Sequence, residues 1–218
     1  MERLIESDLE KLKIDMLTAL RTAQAAVDKA VSVVFSRDAA AIKATLADEE
    51  TIDAMECALD AEVLRLLALH QPVAGDLRYI LGCMRAVGDI ERIGDQAVSI
   101  AERGRILLER PPEPISPTLW EMADTTREFL VLTAACFTDK SLDLARRICA
   151  ESGDILDLNT AFLKEMTTYM REEARPVERA VQLNFIAHSL KRVCDQCTNI
   201  AESVVFMQEG ACSRHRCD

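Results

Sequence analysis

Glycine, proline and aromatic residues are scarce in this 218-residue sequence, which contains 7 Gly, 6 Pro and only 4% aromatic residues. Few glycines and prolines leave few interruptions for regular structure, and for helices in particular. Hydrophobic residues nevertheless make up 49% of the chain, enough for a sizeable core. This composition is typical of long helices packed by aliphatic side chains, so it predicts an all-α fold.

The sequence also lacks long apolar runs and basic tracts. No apolar stretch approaches the ~20 residues that span a bilayer, and the charged residues 1–8 do not resemble a signal peptide. The formal net charge is −11, so the surface repels nucleic acids, whose binding depends on Lys and Arg. We therefore expect a cytoplasmic protein that binds no nucleic acid.

Eight cysteines occur in this chain. In a cytoplasmic protein they are expected to be reduced, and most of them to be small core residues. Cys194, Cys197, Cys212 and Cys217 have a spacing with some resemblance to that of zinc ligands. The first two lie within a strongly helical pattern, which favours core thiols and a reactive tail over a zinc site.

Apolar residues recur at intervals of three and four, the spacing of one helix face, in six segments. Four of the six prolines lie in residues 111–117, so no helix runs through this linker. On either side the sequence repeats, because IERIGDQ at residues 90–96 aligns with LKRVCDQ at residues 190–196. The sequence thus predicts two tandem three-helix bundles, with a first repeat at residues 1–110, a second at 117–210 and a tail at 211–218.

Acidic residues form stripes on two neighbouring predicted helices. The second helix carries four of them, spaced 4, 3 and 4 along one face: Glu49, Asp53, Glu56 and Asp60. Glu91 and Asp95 form a further acidic pair on the third helix, beside its apolar stripe. One interpretation is that these acids are simply solvated. The other is that they raise one another's pKa or bind hard cations in a common groove.

Enzymatic chemistry finds little support in the residues. None of the histidines, His70, His188 and His215, stands three residues after a Glu, which disfavours a ferritin-like di-iron oxidase. The sequence offers no nucleophile and base pair, Gly-rich phosphate loop or Walker signature. We therefore predict that the chain is not an enzyme.

A basic stripe follows the third helix, where Arg78, Arg85 and Arg92 recur every seven residues. Ion pairs with neighbouring acids are one interpretation of this stripe, and an anion or phosphate site is the other.

Two motifs in the first half are specific. Gln-Pro-x-x-x-Asp-Leu-Arg stands at residues 71–78, and Glu-Arg-Ile-Gly-Asp at residues 91–95. With these motifs the sequence resembles the PhoU family over nearly its whole length. The resemblance implies paired three-helix bundles whose Glu/Asp-x-x-x-Asp motifs hold multinuclear metal clusters, one per repeat. In the first repeat it assigns the metal to Glu91 and Asp95, with Glu49 and Asp53 on the facing helix.

The second repeat departs from this pattern. Lys191 replaces the motif's glutamate and Cys194 its glycine, so that only Asp195 remains. Asp154 and Asp157 on the fifth helix are the candidate partners of Asp195, at a spacing of three rather than four. Because an ammonium group at 191 neutralises Asp195, we expect this repeat to bind metal weakly or not at all.

The resemblance also implies a function. PhoU-like proteins act as negative regulators that connect the phosphate ABC transporter, through its ATPase, to a phosphate-responsive sensor histidine kinase. We expect this role here, in a homodimer that meets the membrane only through its partners, with iron, manganese, magnesium or zinc on the carboxylates. The alternatives are a metal-free helical adaptor and a carboxylate-metal enzyme.

Overall fold

The computed structural model describes residues 2–172 and 177–210, and within these ranges all regular structure is helical. The six helices are α1 (Glu2–Phe35), α2 (Ala40–His70), α3 (Ala74–Leu108), α4 (Pro117–Asp139), α5 (Leu142–Glu172) and α6 (Val177–Glu209). The predicted all-α fold with three helices on either side of the proline-rich linker is confirmed. The predicted tail at 211–218 lies outside the described residues.

Capping residues and prolines set the helix ends close to the predicted breaks. Asp38 accepts a hydrogen bond from the backbone N–H of Ala40, at 3.0 Å, where α2 begins. Gln71 ends α2 in the left-handed conformation, with φ 46°, directly before a proline. After the linker, Ser116 caps α4 by accepting from the N–H of Thr118, and a proline fills the first turn.

The two bundles share one continuous core. Helices α1, α2 and α3 pack on one another, as do α4, α5 and α6, while α3 packs along α6 and α1 contacts α4 across the halves. Gly82 permits the close approach of α3 and α6, because a Cβ atom there would lie 2.4 Å from Cγ of Met207. Helices α3 and α6, which carry the repeated motif, therefore form the centre of the molecule.

Two further expectations concern the membrane and the cysteines. Across the part of the chain that the structure describes, no helix has the length and apolar character to span a bilayer.

Cys194 and Cys197 are buried, unbridged thiols on α6, and burial raises the pKa of Cys197 to about 12. Cys212 and Cys217, the other half of the zinc-like spacing, lie outside the described residues.

Candidate functional site

A close contact between α2 and α3 joins the two acidic stripes. Gly94 on α3 faces the buried Ile52 on α2, and a Cβ atom at 94 would lie 3.0 Å from Cδ1 of Ile52. The absence of a side chain at 94 lets the helices approach here. This contact places the four carboxylates assigned to the first repeat along one seam: Glu49 and Asp53 on α2, Glu91 and Asp95 on α3.

The carboxylates along this seam form no ion pair with any of the described residues. Together with two more on α2 they form what we term the acid face: Glu49, Asp53, Glu56, Asp60, Glu91 and Asp95. The glutamates are half-buried and the aspartates are exposed. Within residues 2–172 and 177–210, no member of the acid face forms an ion pair, and the nearby Arg92 pairs instead with Asp89, at 3.2 Å. Arg92 acts on the acid face only through its charge, which lowers the pKa of Glu56 and of Glu91, so that an excess of negative charge remains.

The members of the acid face raise one another's pKa. Partial burial is the largest cause of the raised pKa of Glu49, followed by the charges of Asp53 and Asp95. Burial likewise comes first for Glu91, whose pKa is raised further by Asp95. Since Glu49 on α2 and Asp95 on α3 repel across the seam, both stripes belong to one electrostatic site that a cation would relieve.

The donor set has the chemistry of a hard-cation site but is not gathered around one point. Carboxylate oxygens are the ligands that magnesium and manganese prefer, and iron and zinc accept them. In the described ranges, however, no three His, Cys, Asp or Glu side chains converge closely enough to hold a metal ion. Cation binding at the acid face would therefore require its carboxylates to rotate toward a common centre.

The seam between α5 and α6 repeats the backbone plan with different side chains. Four buried positions of α2 recur at the same spacing on α5, so that Thr45, Ile52, Leu59 and Val63 correspond to Ile148, Ile155, Phe162 and Met166. In this register Ser152, Leu156 and Asn159 stand where α2 carries Glu49, Asp53 and Glu56. The α5 strip facing α6 is thus free of carboxylates at the three matching positions.

Asp195 has an internal partner on α6. The ammonium of Lys191 lies 2.7 Å from Oδ2 of Asp195, one helical turn away. The two side chains occupy the positions that Glu91 and Asp95 hold in the first repeat. A lysine therefore supplies positive charge where the first repeat has a second carboxylate.

Leu156 lines the groove that contains Asp195, whereas Asp154 and Asp157 are not among its lining residues, so their pairing with Asp195 stays a prediction. At about 100° per residue, Asp154 lies on the flank of α5 opposite Leu156, and Asp157 lies on the side away from Ile155 and the core. Both are exposed, and Leu156 is the residue that shares a groove with Asp195. The register of the core, set by Ile155, determines which flank meets α6.

The three arginines of the basic stripe have three different environments. Arg78 donates from Nε to the carbonyl of Met207 near the end of α6, at 3.3 Å. The guanidinium of Arg85 lies over the ring of Phe206, 4.0 Å from its centroid. Only Arg92 follows the ion-pair interpretation, through its contact with Asp89. All three lie on the side of α3 that faces α6.

Sequence reasoning missed Asp89, which is only 7% exposed. Its carboxylate accepts hydrogen bonds from Arg92 and from Nδ2 of Asn199 on α6, each at 3.2 Å. The spacing of Asp89 and Arg92, three residues apart on a helix, was a signal for their pairing. The contact with Asn199 joins distant parts of the chain and has no such local signal.

Comparison with known proteins agrees with this architecture. A family model described as "PhoU domain" matches the chain twice, at residues 16–104 and 119–204. The phosphate-specific transport system accessory protein PhoU homolog of Xylella fastidiosa (strain Temecula1) is 33% identical, over 98% of this chain and 90% of its own. The homolog of the same name from Aquifex aeolicus is 30% identical, over 96% and 95%.

Solved structures show the same fold. The crystal structure of PhoU from Pseudomonas aeruginosa superposes with a TM-score of 0.91 at 28% identity, covering 94% of this chain and 99% of that one. Both halves of the chain thus match one domain family, and the six helices match a solved member of it. This chain belongs to the PhoU family.

Proposed function

We propose that this protein is a negative regulator of the phosphate regulon and of phosphate uptake, linking the phosphate ABC transporter to a sensor histidine kinase. Relatives that match nearly the whole chain are phosphate-specific transport system accessory proteins. Long helical bundles present extended faces, so that one face can meet the transporter's ATPase and another the kinase. In this proposal the protein is a cytoplasmic homodimer that reaches the membrane only through these partners.

The observation that supports the chemical part of the proposal is the excess of negative charge on the acid face. We propose that Glu49, Asp53, Glu91 and Asp95 hold a hard cation across the α2–α3 seam. When bound, the cation would supply positive charge that fixes the spacing of the two helices. Iron, manganese, magnesium and zinc all suit such oxygen ligands.

The regulatory role is tested by deleting the gene in its native host. We expect phosphate-starvation genes, followed with a transcriptional reporter, to be expressed in high phosphate and silenced again by the wild-type gene. Complementation with Asp95→Asn tests the acid face, with Asp154→Asn as a matched control on an exposed surface outside it. Unchanged reporter expression after deletion would contradict the regulatory role.

A metal-free helical adaptor is the second candidate, and the lack of three converging ligands in the described residues favours it. Elemental analysis of protein purified without chelator separates the two. A bound metal that is lost in Asp95→Asn supports the cation. Protein that carries no metal and takes none up from solution would leave the acid face as a polar docking surface only.

A further inference from the structure

A groove of about 880 Å³ lies over α6 and between α3 and α5, each of which packs on α6. Three basic side chains line it, Arg85 and Arg92 from α3 and Lys191 from α6. None of these three belongs to the acid face, which lies on the α2 side of α3. The groove nevertheless borders the acid face, because Oε1 of Glu56 lies 3.8 Å from the Cβ position of Gly88, which lines the groove.

The basic side chains keep most of their hydrogen-bond donors unused. Arg85 forms no ion pair within the described residues, since its guanidinium rests on the ring of Phe206. Arg92 contacts Asp89 through Nη1, and Lys191 contacts Asp195. Because a guanidinium has five N–H donors and an ammonium three, the groove retains donors for an anionic ligand.

The carboxylates of the groove already have partners. Asp89 accepts from Arg92 and Asn199, and Asp195 accepts from Lys191. Glu202, the third acid lining the groove, also has an interaction within the protein. The three acids and three cations balance formally, so the groove lacks the negative excess of a chain whose net charge is −11.

Apolar side chains stand beside these donors. Met84 is 44% exposed and Leu156 is 51% exposed, and both line the groove together with Phe206. Leu156 occupies the position of Asp53 in the first repeat. A bare phosphate ion would leave this apolar surface and most of the groove's volume unused. The volume is instead typical of pockets that bind larger organic molecules.

We propose that the groove binds an organic phosphate. Its phosphate group lies against Arg85, Arg92 and Lys191, and its planar or apolar body against Phe206 and Leu156. Arginine side chains suit the phosphate because their planar donors match its oxygens. The proposal uses no acid-face residue and does not depend on the regulatory role.

Isothermal titration calorimetry of the full chain tests the proposal, with ATP as the probe and with EDTA present so that no metal bridges ATP to the acid face. We expect ATP to bind at low ionic strength and to bind more weakly as salt is added. Adenosine, which has no phosphate, should show no binding. Tripolyphosphate, which has the phosphate chain of ATP but no organic body, should bind at least about tenfold more weakly than ATP, because it lacks the contacts of that body.

Two variants place the binding in the groove. Arg85→Met and Lys191→Met should each weaken ATP binding about tenfold or more, the effect of losing a charge-assisted hydrogen bond. Arg103→Met is the matched control, because Arg103 also stacks on a phenylalanine, Phe185, at 4.6 Å, but outside the groove. Its affinity for ATP should stay within about twofold of wild type. Circular dichroism melting verifies that each variant is folded.

Three results would overturn the proposal. The first is no ATP binding at millimolar concentration and low salt. The second is binding that Arg85→Met and Lys191→Met leave unchanged, or that Arg103→Met weakens equally. The third is equal affinity for tripolyphosphate and ATP, which would reduce the site to one for phosphate groups alone and reject the organic ligand.

Discussion

The α2–α3 seam and the α5–α6 seam are built on one plan and differ in their chemistry. Ile52 and Ile155 occupy matching buried positions, at 1% and 0% exposure. Around Ile52 the seam is lined by carboxylates that form no ion pair with any of the described residues. Around Ile155 it has Ser152, Leu156 and the Lys191–Asp195 ion pair. The comparison teaches that the core of the repeat is retained where it sets helix register, while the residues flanking it are exchanged and give each half its own pattern of charge.

The largest expected effect tests whether the two cores are equivalent. Ile52→Ala and Ile155→Ala each remove a fully buried side chain, so each should lower the free energy of unfolding by about 2–5 kcal/mol. Urea denaturation followed by circular dichroism measures both. Because the two bundles share one core, we also expect a single cooperative transition in each variant. If only one variant had a lower free energy of unfolding than wild type, the two seams would not be equivalent.

The next effect tests the chemical difference between the seams. With manganese at 100 times its dissociation constant, the free energy of unfolding should rise by about 2.7 kcal/mol over protein in EDTA. Asp95→Asn should abolish this rise, because it removes a proposed ligand. Asp195→Asn is the matched change in the second repeat and should retain it, since Lys191 already neutralises Asp195. An equal loss in both variants would contradict a cation site confined to the first repeat.

Sequence reasoning succeeded for features that arise within one helix but not for those that depend on contacts between helices. Helix number and the acid stripes of α2 and α3 were predictable, because both arise from spacings of three and four within one helix. The pairing of Asp154 and Asp157 with Asp195 had no such local basis, because the register between two helices is set by core contacts such as that of Ile155. The groove around Arg85 and Lys191 was missed as a site, since it forms only when α3 and α5 both pack on α6.

The smallest expected effect concerns the pH dependence of the acid face in metal-free protein. The pKa of Glu91 is raised by burial and by Asp95, so the folded state binds its proton more readily than the unfolded state does. Its ionisation therefore destabilises the fold, fully at pH values above the raised pKa and not at all below the ordinary value of about 4.3. Glu91→Gln should accordingly stabilise the protein at pH 7 by a few tenths of a kcal/mol, the size of repulsion between like charges one helical turn apart.

The matched change in the second seam should have the opposite sign. Lys191→Gln removes an ion pair between residues one helical turn apart, so it should cost about 0.3–0.5 kcal/mol at pH 7. Urea denaturation in EDTA at pH 7 and at pH 4 measures both variants against wild type. If Glu91→Gln destabilised the protein at pH 7, the acid face would be a set of stabilised carboxylates rather than a repelling one. The two seams would then differ in the identity of their side chains, but in both the charges would stabilise the fold.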